Sequence, residues 1–250
     1  MPVSEQRNST SSRRHARFHN TLWSQVFAAR RPEGPEATQA LESLCRLYWF
    51  PIYAFLRRWG HDRQDARDLT QGFFAFLLRG NLLRKADPEK GRFRSFLLGS
   101  LRKFVANQEA KKHALKRGGA IHVVSIDEET AEGRYAHEPA TELTPEKLFD
   151  RRWALEAIAE AMRRLEAEYR RAGMIELFTA LQPFLVDEQN GGFAALAARL
   201  RKSEGNARVV VFRLRNHFRK LIRGVIADTL SDANQVEDEL RHLQAALRGD

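Results

Sequence analysis

The chain has 250 residues, 43% of them hydrophobic, enough to bury a core and, at this length, to make two small domains. Eight prolines and fifteen glycines are too few for a β-sandwich with frequent turns. A single cysteine excludes an intramolecular disulfide and a cysteine-based zinc site, and no run approaches eighteen apolar residues, which argues against a transmembrane helix.

In chain order, residues 1–17 are polar, Ser/Arg-rich and without periodicity, so they are expected to be a disordered basic tail. They lack the apolar core of a signal peptide, which points to a cytoplasmic protein. A helical block over 18–116 follows, with helices expected near 21–30, 37–58, 62–79 and 92–115. Its breaks fall at Pro32 to Pro35, at Gly60 and between Gly80 and Gly91. Cys45, between Leu44 and Leu47, reads as a buried small hydrophobe. Residues 117–148 hold seven Asp/Glu, together with Pro139 and Pro145, and read as an acidic linker containing one short strand-like run at 121–126. A second block over 149–225 opens with a helix near 149–171, continues with one at 173–186, and ends in a helix-turn-helix over 193–220. The tail, 226–250, carries an apolar stripe at Val236, Leu240, Leu243 and Leu247, suited to packing on a neighbour or a partner. The expected fold is therefore all-α, two small helical domains joined by the acidic linker.

The net charge of +10 favours a polyanionic partner, although solubility alone would account for a charge of this size. Its distribution is more telling. Residues 84–117 carry eleven Lys/Arg against three acids, and residues 199–223 carry nine against one. Each segment is net +8, so the remainder of the chain is net acidic, and two separate contacts with nucleic acid are expected.

The stretch from Phe193 to Lys220 has the pattern of two short helices around a three-residue turn. At 100° per residue, Ala207, Val210, Val211, Leu214, Phe218, Leu221 and Val225 fall on one line and form the core stripe. Arg208, Arg215 and Arg219 flank it on one side, Arg213 and Lys220 on the other. Ser203 is the expected N-cap, and with Asn206 it sits where free backbone N–H groups can receive a phosphate. Val209 and Phe212 are expected to point outward, toward thymine methyls or a protein partner. An ordinary amphipathic helix with a solvated basic face is the plainer reading of the same pattern.

In the helix at 62–79, Ala66, Leu69, Phe73, Phe76 and Leu77 form the expected buried stripe, with Asp65, Asp68 and Gln71 along one edge. That edge reads equally as a surface for another helix or as a solvated face with acids near the helix N-terminus. In the helix at 92–115, Phe93, Phe96, Leu97, Leu101, Phe104 and Val105 make the core face. Arg92, Arg102 and Lys103 lie opposite, followed by Lys111 and Lys112, an arrangement suited to a phosphate backbone. Gly60-His61-Asp62 with Asp65 and Asp68 loosely resembles a metal-dependent phosphohydrolase site. The chain has no phosphate-binding glycine loop and no Ser/His/Asp order, so no catalytic residue, metal or cofactor is assigned.

Taken together, four phrases resemble the RNA polymerase sigma factors of the extracytoplasmic-function type, in particular a planctomycete-like branch. They are Tyr48-Trp-Phe-Pro-Ile-Tyr53, Asp65-Ala-Arg-Asp-Leu-Thr-Gln-Gly-Phe-Phe74, Gly91-Arg-Phe-Arg-Ser-Phe-Leu-Leu98, and Ser203-Glu-Gly-Asn-Ala-Arg208 leading into Arg213-Leu-Arg215. The resemblance covers roughly 18–225. It implies that Asp65, Asp68, Leu69, Gln71 and Phe74 grip the β′ clamp helices of core RNA polymerase, with the β flap as a second polymerase contact. It implies that Arg92, Arg94, Arg102, Lys103, Asn107, Lys111 and Lys112 hold the melted promoter −10 strand. It further implies that Ser203, Asn206, Arg208, Val209, Phe212, Arg213, Arg215, Arg219 and Lys220 meet the −35 element, and it leaves room for an anti-sigma or other regulator. The chain departs from typical members at Phe96, Lys103 and Asn107, where Trp, Asn and Asp are usual, and at Val209-Val210, where a Ser-Arg pair is common. A stand-alone helix-turn-helix regulator and a polymerase-binding, anti-sigma-like protein remain as alternatives.

Overall fold

Sustained apolar periodicity builds the first helices. In a computed structural model that describes residues 35–79, 82–87, 92–114, 128–136, 143–186, 192–230 and 235–249, α1 runs Pro35–Arg58 and α2 runs Arg63–Arg79. A short α3 (Leu82–Lys85) leads to α4 (Phe93–Ala114). Helix α1 continues through Pro51, which removes one backbone hydrogen bond, because Tyr48, Phe50, Ile52 and Tyr53 around it are almost wholly buried. Each such side chain contributes about 1.5–3 kcal/mol by leaving water, which offsets the defect. The expected tail at 1–17, helix at 21–30 and strand-like run at 121–126 lie outside the described residues.

Every regular element among the described residues is helical, as the all-α expectation requires. Within the stretch read as a linker, however, α5 spans Glu128–Ala136. Its acids are not merely solvating: Ala131 is fully buried and Glu132 pairs with Arg57 of α1. A nine-residue helix shows too few periods to be read from sequence, and its charge partner lies 75 residues away.

The long α6 (Pro145–Arg171) is the spine of the molecule, about 40 Å at 1.5 Å per residue. Pro145 occupies its first turn, and the Thr144 side chain accepts a hydrogen bond from the Lys147 backbone N–H. One end carries Phe149, Trp153 and Ala154 into the core formed by α1, α2 and α4. The middle places Ala157 and Ala161 against Val225, and the far end sends Leu165 into a second core. The expected helix at 173–186 is broken into α7 (Ile175–Leu181) and α8 (Pro183–Val186), because Pro183 cannot continue the backbone hydrogen-bond ladder.

The chain closes with α9 (Phe193–Leu200), α10 (Glu204–Ala227) and α11 (Val236–Arg248). The sequence puts the break between blocks at 117–148. In the structure the first core draws residues from both sides of that stretch, because α6 enters it and Ile226, Leu230 and Leu243 return to it. Helix α11, whose stripe was open to a neighbour or a partner, lies on α6 and α10 of its own chain.

Candidate nucleic-acid interface

Helix α9 ends at Arg201, whose φ of 51° is left-handed. The Arg201 N–H donates to the Ala198 carbonyl at 3.1 Å and the Lys202 N–H to that of Ala197 at 2.9 Å. This is the paired closure by which helices commonly stop, here with arginine in place of the usual glycine. Two residues on, the Ser203 hydroxyl accepts from the Asn206 N–H at 3.3 Å and caps α10. The two helices and the three-residue turn thus stand where the sequence placed them, held by Leu196, Ala197, Ala207, Val211 and Leu214 in the second core.

On α10 the inward side is the expected stripe, and the outward side carries the exposed apolar pair. Val209 is 46% and Phe212 62% exposed. Ser203, Asn206, Arg208, Arg213, Arg219 and Lys220 are exposed around them. The Arg208 guanidinium lies 4.4 Å from the centroid of the Phe193 ring, which ties α10 to α9 and fixes the direction of the charge. Arg219 donates to the Asn216 side chain at 3.0 Å. Arg215 departs from expectation: it is half-buried and its Nε donates to the Phe184 carbonyl at 2.9 Å, so it braces α8 against α10.

The second basic segment is more strongly altered by the fold. Lys103 and Asn107 are exposed on α4, and Arg102 is exposed but paired with Glu146 of α6. Burial pushes the Glu146 carboxyl up, but its own backbone N–H and Arg102 outweigh that and hold it below the ordinary range. Arg94 faces inward, 5% exposed, against Asp150 and Glu239, with its guanidinium 5.5 Å from the Trp153 ring centroid. Arg92 reaches the same Glu239 at 2.9 Å. Arg94 is thus closed off from an outside ligand, whereas Arg92 is half-buried and shares its charge with Glu239. Lys111 and Lys112 continue α4, and their side chains lie outside the described residues.

The edge of α2 is also smaller than expected. Leu69 is buried as its place in the stripe requires, and Gln71 and Phe74 are buried as well, because α1, α4 and α5 together cover more of the circumference than one stripe. Phe76, expected inside, is 42% exposed and leans on Phe104 with ring centroids 5.4 Å apart. Asp65 and Asp68 stay at the surface, Asp68 beside Arg67 at 3.5 Å. The Asp65 N–H donates to the Asp62 carboxylate at 2.8 Å, which caps the start of the helix.

Sequence reasoning missed Phe193 as the partner of Arg208 and Glu239 as the partner of Arg92 and Arg94. Glu239 had a signal. It lies only about 60° from the line of Val236, Leu240, Leu243 and Leu247, at the margin of the face that α11 buries. Among the described residues no cluster of His, Cys, Asp or Glu is placed to hold a metal ion, and no helix is long and apolar enough to cross a membrane. Comparison with protein-family models, with curated proteins and with solved structures gives no match.

Proposed function

We propose that the chain is a sigma factor of the extracytoplasmic-function type, which binds core RNA polymerase and directs promoter recognition, DNA melting and transcription initiation. The observation that carries this reading is the outward face of α10, where Val209 and Phe212 stand between Arg208 and Arg219 on one side and Arg213 and Lys220 on the other. Flanking cations neutralise phosphates, and the exposed apolar pair offers contacts to base edges in the major groove. Four phosphate contacts would give a slope of about −3.6 in log K against log salt. Lys103 and Asn107 on α4 supply a second contact, to the −10 strand, and Asp65 and Asp68 on α2 supply the polymerase contact. The mechanism is recruitment and strand capture: binding energy from both ends favours open promoter DNA, and no covalent bond is made or broken.

The burial of Leu69, Gln71 and Phe74 favours a second reading, a stand-alone helix-turn-helix regulator that never joins the polymerase. Run-off transcription separates the two. The protein is added to sigma-free bacterial core polymerase on a fragmented genomic template from the same host, with Asp68→Arg alongside. New transcripts that vanish with Asp68→Arg support the sigma factor. Tight DNA binding without transcripts supports the regulator.

A further inference from the structure

Helix α11 opens with three consecutive acids, Glu237, Asp238 and Glu239. Glu239 is fully buried, with its oxygens 2.9 Å from Arg92 Nε and 2.8 Å from Arg94 Nε. Arg94 also meets Asp150 of α6, and His242, one turn further along α11, lies 3.0 Å from the other Asp150 oxygen. Glu237 pairs with Arg223 near the end of α10. One acidic turn therefore holds arginines from both basic segments, the start of α4 and the end of α10.

Three features mark this attachment as one that can open. The Glu239 contacts are at ion-pair distance but off the hydrogen-bond direction: among the described residues neither of its carboxylate oxygens, nor Arg94 Nε, makes an aligned hydrogen bond. Burying a carboxylate on those terms costs desolvation that charge alone must offset. The apolar closure is also incomplete, because a cavity of about 450 Å³ remains between α6, α10 and α11, lined by residues such as Ile158, Ile222, Leu240 and Leu247. Finally, the Arg223–Glu237 pair is largely solvent-exposed, and such pairs weaken readily with salt or a competing anion.

We infer that α11 is an autoinhibitory clasp, an acidic helix that occupies Arg92, Arg94 and Arg223 in place of DNA phosphates and holds the two basic segments together until DNA displaces it. The inference rests on the reading that these segments bind DNA. A helix that is only a structural brace would leave DNA affinity unchanged or lower when loosened.

The test compares the full chain with Glu237→Gln/Glu239→Gln, with Glu237→Gln alone, and with Glu176→Gln. The last lies at an exposed site on α7 and changes the net charge by as much as Glu237→Gln does, half as much as the double variant. Fluorescence anisotropy with labelled duplex and single-stranded DNA is read over a salt series, and hydrogen exchange of 236–248 is read with and without DNA. The double variant is expected to bind about five- to fiftyfold tighter than Glu176→Gln at low salt, with a slope steeper by about two to three as the arginines take phosphates. Glu237→Gln, which leaves the buried carboxylate in place, is expected to gain about two- to fivefold, and DNA is expected to speed exchange of 236–248 in the unmodified chain. Equal affinity and slope for all variants overturns the clasp and leaves DNA binding standing. Absence of DNA binding in every variant overturns both. Should the double variant unfold, exchange in the unmodified chain decides, and protection of 236–248 that DNA leaves unchanged overturns the clasp.

Discussion

Arg57 of α1 and Glu132 of α5 meet at 2.7 Å, Nε to Oε1, and the Tyr53 hydroxyl donates to the same carboxylate oxygen. The Arg57 guanidinium also lies 5.1 Å from the centroid of the Tyr135 ring. This cluster fastens a helix from the middle of the chain to the first core. Burial pushes the Glu132 carboxyl up, but hydrogen bonds from Arg57 and Tyr53 outweigh it and hold the group below the ordinary carboxylate value. A depressed carboxyl contributes stability above its unfolded value, about 4.3, and loses it as pH falls through the folded one. Glu132→Gln should therefore cost about 1–3 kcal/mol at pH 7, with the difference from the unmodified chain shrinking progressively below about pH 4. Urea denaturation at a series of pH values measures both.

Trp153 is fully buried and stacks on Tyr48, with centroids 6.5 Å apart and planes inclined by 27°. It belongs to the helix that runs through both larger cores. Trp153→Ala should cost about 3–5 kcal/mol and lower the stability of the whole chain, while Trp153→Phe should cost less because it leaves a smaller cavity. Guanidinium melts followed by circular dichroism distinguish the three proteins.

Arg201 holds the left-handed turn position that glycine adopts without steric penalty. A non-glycine residue there costs about 1–2 kcal/mol, and the extra freedom of glycine in the unfolded chain returns about half of that. Arg201→Gly should raise the melting temperature by about 1–4 °C, since 1 kcal/mol is worth about 2–4 °C in a chain of this size. Calorimetry gives the shift. A lower melting temperature would mean that the arginine side chain stabilises the turn by more than its backbone strain.

Phe212 is exposed and Arg213 beside it points to solvent, so neither supports the core. Phe212→Ala and Arg213→Ala should leave stability within about 0.5 kcal/mol. On DNA they should differ. Phe212→Ala should weaken a preferred duplex about tenfold with little effect on random DNA, and Arg213→Ala should weaken both and reduce the salt slope by about one. Anisotropy titrations on the two duplexes supply the comparison.

The α10 face was legible in the sequence because a helix's own geometry defines it. Seven apolar residues on one line fix what is inward, so Val209 and Phe212 must be outward, and Ser203 marks where the helix starts. Those relations need only a period of 3.6 residues and a capping side chain. The sequence could equally determine that the chain is helical, where the principal helices lie and that two segments concentrate the positive charge. It could not determine which of those charges face solvent. Arg94 is turned inward by Asp150 and Glu239, which lie 56 and 145 positions away. Arg215 is claimed by a carbonyl on α8, and Gln71 and Phe74, outside the apolar stripe of α2, are covered by three helices rather than one. Periodicity describes a helix relative to its own axis, whereas the neighbours that cover it and the charges that meet it are set by packing among segments remote in the chain. That packing alone decided that α5 folds within an acidic stretch and that α11 returns to meet Arg92 and Arg94 at the start of α4.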